Sequence, residues 1–372
     1  MNNIQKLAEL GQSIWMDNIQ RKMLTGGGLQ AMIDEGLLGM TSNPTIFEKA
    51  IGSSSDYDEA MRSLVAQGAT AEQIFDALTI EDVGLAADIF RPVFDRTQGR
   101  DGYVSIEVSP KLAHDTAGTV ADARRLWQTL KRPNVMIKIP ATTEGLPAIE
   151  RSLTDGINVN ITLMFSMNHY LSVVETYLRA LEARVKAGQP IDHVASVASF
   201  FVSRVDTLLD AKLEQIVIAE GPNASVAAAL LGRAAVANSQ VVYGKFTELF
   251  GSDRFKALSA RGAKVQRVLW ASTSTKNPKY LDVMYVNDLI GPDTVNTVPP
   301  ETYHAILDHA IVERSVDRDL EAARQVVGVL QALGLDLNEA GEQLSVEGVG
   351  KFTQSFDGLL KVIEQKRAAL VK

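Results

Sequence analysis

The sequence predicts an α/β fold, a (β/α)8 TIM barrel with additional helices. Three observations carry that expectation. Eight short apolar or alternating stretches have strand character, longer helix-patterned segments separate them, and no Ser/Gly-rich linker or shift in composition divides the chain. Eight such units in 372 residues suit one barrel domain spanning 1–372. An open doubly wound sheet is the alternative, and fewer strands would favour it.

In order, the strand-like stretches are SIWMD (13–17), LLGMTSN (37–43), YVSIEV (103–108), NVMIKI (134–139), INVNITL (157–163), VASVASFF (194–201), RVLWAST (267–273) and DVMYVN (282–287). Segments between them, such as SMNHYLSVVETYLRALEARVKAG, repeat apolar residues at helical spacing and end in a Lys-Ala-Gly stop. TGGG (25–28) matches neither dinucleotide nor P-loop spacing and reads as a turn or a helix start. Two helical stretches, about 206–265 and 301–368, exceed a minimal barrel and are expected over its rim or outside. The Ala/Val-rich tract ASVAAALLGRAAVA is broken by Gly232 and Arg233 and reads as a packed helix.

Composition excludes several function classes. A 46% hydrophobic, 22% charged chain is ordinary for a soluble globular protein, and a net charge of −8 argues against nucleic acid as the main partner. With no cysteine there is no disulfide, thiolate nucleophile or Cys-ligated metal. The start lacks the pattern of a secretory signal, and no uninterrupted apolar run is long enough to span a membrane. The expectation is a cytoplasmic enzyme without a membrane partner. The five histidines show no HxH or HExxH spacing and are expected at the surface or in loops, so no metal site is expected.

Strand parity separates the polar from the aliphatic residues. Asp17 shares a face with Ser13 and Trp15, Glu107 with Ser105, and Asn158, Asn160 and Thr162 share another, opposite rows of branched aliphatics. Lys138 lies opposite Val135, Ile137 and Ile139. The seventh stretch places Ser272, and beyond it Ser274, opposite Leu269 and Ala271. The polar row is expected inside the barrel, its last members clustered at the strand C-terminal ends where such barrels carry active sites. A lysine on so apolar a strand loses hydration, and burial favours a neutral amine, the form that attacks carbonyls. The resulting iminium is an electron sink for breaking or making the adjacent C–C bond. That chemistry needs a base for the substrate hydroxyl and a positioned water, and Asp17 and Glu107 are candidates for the two tasks.

At this point the motifs carry a resemblance. GMTSNPTIF (39–47) resembles the first signature of transaldolases, and VMIKIPATTEGLPAIE (135–150) resembles the second, around the Schiff-base lysine; INVNITLMFS (157–166) and SFFVSR (199–204) are similar to family segments. The KIPAT form and the extra length resemble the longer bacterial subgroup. The resemblance implies a class I aldolase-type barrel of the pentose phosphate pathway that needs no cofactor or metal. It transfers a dihydroxyacetone unit between sedoheptulose 7-phosphate or fructose 6-phosphate and aldose phosphates. By position, Lys138 would form the imine, Asp17 would act as acid/base where the bond cleaves, and Glu107 with Thr162 would hold the water. Asn43 and Asn160 would bind the three-carbon unit. Arg204, Ser199 and the Ser272/Ser274/Lys276 segment would hold the phosphate, with Ser272 and Ser274 competing for one role. WASTSTKNP (270–278) is longer than the family's usual stretch, and Lys276 stands where an arginine is more usual. The nearest alternative is a fructose-6-phosphate aldolase releasing free dihydroxyacetone. In those relatives a tyrosine helps hold water, and the corresponding residue here is Phe201. A non-catalytic barrel used for binding or scaffolding is the alternative from another class.

Overall fold

Val and Ile recur in the short stretches between the helices, and in the computed structural model, which describes residues 1–370, these stretches pair as parallel strands. The strands are β1 (Gln12–Asp17), β2 (Gly39–Thr41), β3 (Val104–Glu107), β4 (Val135–Pro140), β5 (Val159–Met164), β6 (Ser196–Phe201), β7 (Arg267–Ala271) and β8 (Thr294–Val298). They follow one another around a closed barrel in chain order, with β1 pairing β8 to shut the ring.

The eighth strand lies elsewhere than expected. Segment 282–287 forms most of a short helix, Met284–Asp288, while the strand is TVNTV at 294–298. A short apolar run does not distinguish a strand from one buried helical turn. The true strand is bracketed by Pro292 before it and by Pro299 and Pro300 after it. The seventh strand also reverses the expected parity. Arg267 points inward to Ser13 and Asp101, so Leu269 and Ala271 share the inner face, and Ala271 lines the mouth. Ser272, at φ 58°, takes a left-handed conformation just past the strand and breaks the alternation.

The barrel interior is layered. At its N-terminal end Trp15 lies against Gly39, where a Cβ would come within 2.6 Å of the indole. Asp101 accepts from Ser13 Oγ at 2.9 Å, Trp15 Nε1 at 3.1 Å and Arg267 Nη2 at 3.0 Å, forming a buried ion pair beneath the site. In the middle layer Asn160 donates to Ser105 Oγ at 3.0 Å and accepts from Ser199 Oγ at 2.6 Å. TGGG starts a helix: Gly27, at φ 80°, caps Gly28–Glu35.

Segment 206–265 falls into four helices, Ser203–Ile218, Ala224–Leu230, Ala234–Phe250 and Asp253–Ser259. The Ala/Val tract is therefore two helices bent by 64°, because Gly232 turns left-handed between them. No single helix among the described residues is long and apolar enough to cross a membrane. Segment 301–368 holds most of Pro300–His309, Leu320–Ala332 and a 34-residue C-terminal helix, Leu337–Leu370. That last helix packs on helix Pro44–Ser53 and on β5, across the C-terminal end of the barrel. Gly341 and Gly348 let it approach: a Cβ there would lie 2.7 Å from Ser166 Cβ and 2.8 Å from Leu163 Cδ2 respectively.

Asp101→Ala leaves Arg267 buried without its carboxylate. The expected loss is about 3–5 kcal/mol in urea unfolding, with substrate KM unchanged because the pair lies at the far end of the barrel.

Candidate active site

Lys138 extends from β4 among apolar neighbours, and its side chain is 6% exposed. Its Nζ donates to the Ser42 carbonyl at 3.3 Å and sits 3.7 Å from Glu107 Oε2. The contact follows from the register, which pairs Glu107 of β3 with Lys138 of β4. From the C-terminal helix, the Phe352 ring covers Nζ at 5.7 Å.

Asp17 ends β1, with Thr41 Oγ1 donating to Oδ1 at 2.8 Å. Thr41 Oγ1 also lies 2.6 Å from Thr297 Oγ1, so with its own proton on Asp17 it accepts the proton of Thr297. Burial pushes the Asp17 carboxyl above the ordinary value, against the pull of Lys138 and the Thr41 hydrogen bond. Burial likewise pushes Glu107 up to about 7; Lys138 opposes the shift and Asp17 adds to it. The Arg204 guanidinium is held below its usual value by burial, with Asp17 and Glu107 pulling the other way.

Thr162, on β5, has a buried hydroxyl with no hydrogen-bond partner within the protein; Glu107 Oε2 and Arg204 Nη1 share that condition. Immediately after Thr162 the pairing with β6 slips between Ile161 and Met164, and Leu163 sits at φ 63°. A left-handed leucine is strained, and strain of this kind concentrates where strand ends are bent to present side chains.

These strand ends surround a cavity of about 650 Å³. All of the expected site residues line it except Glu107 and Asn160. Glu107 reaches it through Lys138 and borders a second cavity of about 670 Å³, between helices Ala71–Arg96 and Thr116–Leu130. Asn160 lies one layer down, two residues before Thr162, with both ends of its amide engaged. Asn43 caps helix Pro44–Ser53, its Oδ1 accepting from Ile46 N at 3.0 Å, which leaves its amide donors for the cavity. Phe201 packs on Phe165 at 5.1 Å and carries the Arg204 guanidinium 5.0 Å above its ring. Ser272 Oγ is 2.8 Å from Ser203 Oγ, while Ser274 accepts from Lys276 Nζ, so both serines reach the rim with different partners.

The sequence reading missed Thr41, Thr297, Lys49, Lys351 and Phe352, all on the cavity wall. Strand parity could have found Thr41, which shares a face with Gly39. The two C-terminal residues follow a helical pattern that says which face is buried but not what it covers. Of the histidines expected at the surface or in loops, His169 departs: it lies on helix Met167–Lys186, its side chain is 10% exposed, and Nε2 is 2.9 Å from Glu342.

Taken together, the walls offer an amine, two acids of raised proton affinity and a cationic rim, which suits Schiff-base chemistry on a small anionic carbonyl compound. Comparison with known proteins points the same way. Residues 14–363 match the family described as Transaldolase/Fructose-6-phosphate aldolase. Relatives named transaldolase include one from Saccharopolyspora erythraea, 47% identical over 367 residues and covering 98% of both chains. Another, from Trichodesmium erythraeum, is 45% identical over 372 residues, 98% of this chain and 97% of its own. A third, from Mycobacterium ulcerans, is 44% identical over 373 residues, 100% of this chain and 98% of its own. The chain belongs to the transaldolase/fructose-6-phosphate aldolase family.

Proposed function

We propose that the chain is a transaldolase acting on sugar phosphates through an imine on Lys138. The observation that carries this reading is the buried lysine held 3.7 Å from Glu107 at the barrel mouth it shares with Asp17. The Lys138 amine adds to the ketose C2 carbonyl, and loss of water leaves an iminium. Asp17 takes the C4 hydroxyl proton, the C3–C4 bond breaks, and its electron pair moves into the iminium as an enamine while the aldose phosphate departs. The enamine carbon then attacks the acceptor aldehyde, and Asp17 returns the proton to the new hydroxyl. Glu107 and Thr162 orient the water that adds to the iminium and frees the product. An acid titrating near neutrality suits that task. Asn43 holds the three-carbon unit from the wall and Asn160 supports it from the layer below, while Ser199, Arg204, Ser272, Ser274 and Lys276 receive the phosphate end. Phe201 offers no hydroxyl to hold water near the intermediate, which favours transfer over release of free dihydroxyacetone.

Borohydride reduction after incubation with fructose 6-phosphate is expected to leave a covalent adduct on Lys138, read by mass spectrometry and lost in Lys138→Ala. No adduct on the wild type ends the Schiff-base reading; rapid cleavage of fructose 6-phosphate without an acceptor replaces transferase with aldolase. Asp17→Ala is expected to lower kcat by about 10²-fold or more with KM little changed, in steady-state kinetics. A mutant altered only in KM moves Asp17 to binding. Glu107 has a folded value of about 7 against an ordinary 4.5, so the folded chain holds its proton more tightly than the unfolded chain. Wild-type stability therefore falls as pH rises through that window. The melting-temperature advantage of Glu107→Gln over wild type is expected to grow from about pH 5 to about pH 8. A constant difference across that range contradicts the raised acid.

A further inference from the structure

We propose that Lys49 and Lys351 are further phosphate-contacting residues, and that Lys351 ties recognition of the phosphate to the covering of Lys138. The inference rests on the imine reading above. Lys49, Arg204, Lys276 and Lys351 line one cavity, drawn from helix Pro44–Ser53, helix Ser203–Ile218, the loop after β7 and the C-terminal helix. Burial holds Lys276 below the usual lysine value; Glu301 opposes this, and Arg204 and Lys49 add to it. Cations crowded closely enough to repel one another form a receptor for an anion. Arg204 Nη1 is buried without a partner in the protein. Three carboxylates line the same cavity, Asp17, Glu301 and Glu347, against the five cations Lys49, Lys138, Arg204, Lys276 and Lys351, which leaves it short of negative charge. Glu347 lies 3.8 Å from Lys351, a solvent-exposed pair that a phosphate dianion readily displaces. A lysine is a point charge, so several converging on one phosphate replace the fork that an arginine at position 276 would supply.

The second half of the inference follows from adjacency. Phe352, next in the chain to Lys351, lies 5.7 Å from Lys138 Nζ and 5.9 Å from the Arg204 guanidinium. Gly348, one turn earlier, allows this part of the helix to sit close, since a Cβ there would approach Arg204 Nη1 to 3.4 Å. A phosphate bridging Arg204 and Lys351 therefore fixes the turn that carries Phe352. The ring then excludes water from the imine while a phosphorylated substrate is bound.

Lys49→Gln and Lys351→Gln are tested with glyceraldehyde 3-phosphate and with D-glyceraldehyde as acceptors. Each variant is expected to raise KM for the phosphorylated acceptor about tenfold, with KM for D-glyceraldehyde unchanged. Inorganic phosphate, which can occupy the rim once the phosphorylated aldose has left, is expected to slow acceptor-free release of dihydroxyacetone from fructose 6-phosphate in wild type but not in Lys351→Gln. Equal effects on the two acceptors, or none, overturn the phosphate assignment, and release that responds identically to phosphate in wild type and Lys351→Gln overturns the coupling. Borohydride trapping separates the two levels. An adduct on Lys138 in wild type and both variants leaves the imine reading intact whatever the KM values, whereas no adduct in wild type removes that reading itself.

Discussion

A lysine and two carboxylates share a space from which barrel closure removes most of the water, and the rest of the site is arranged around that constraint. Lys138 and Glu107 are 6% and 5% exposed in their side chains, and each makes the other's charge tolerable. Burial favours protonated Asp17 and Glu107, and Lys138 pulls both back towards ionisation. The neighbouring polar groups serve the same balance. The Ser42 carbonyl faces the amine, and the Thr41 hydroxyl faces Asp17.

Polar layers below and at the mouth differ in how completely they are satisfied. At the bottom, Ser13, Asp101 and Arg267 pair with one another, a structural plug at the end of the barrel away from the chemistry. In the middle, Asn160 is held between Ser105 and Ser199. At the top, Glu107, Thr162 and Arg204 each keep a buried polar atom without a protein partner. Such groups weaken the folded state and are kept where a substrate or a water takes them up. Among these interior groups pairing falls off towards the C-terminal strand ends, whereas Gln12 and Gln266 keep unpaired amide oxygens at the other end.

Much of this was legible because strands alternate faces. On β1, β3, β4 and β5 the odd-even pattern separates Asp17, Glu107, Lys138, Asn160 and Thr162 from the aliphatic rows, and the fold places those residues together. The rule failed where the backbone departs from alternation. Ser272 turns left-handed past β7, so its parity says nothing about direction, and Leu269 and Ala271 lie on the inner face with Arg267 rather than opposite the polar row. The eighth strand was missed because DVMYVN matches a buried helical turn as well as a strand. The cover supplied by Phe352 and Lys351 was illegible for another reason: it depends on which distant surface a helix meets, and no local period encodes that.

Closure in chain order puts the first and last strands side by side, and the Thr41–Thr297 contact sits beside that seam. β8 brings no charge to the mouth, yet its threonine stands behind the hydroxyl that holds Asp17. The acid is therefore a gauge of whether the ring is shut. A chain lacking the last turn of the barrel would present Asp17 to solvent as an ordinary carboxylate, without the burial that raises its proton affinity. The network around Asp17 thus spans the seam, from the first strand's carboxylate through Thr41 to the eighth strand's hydroxyl.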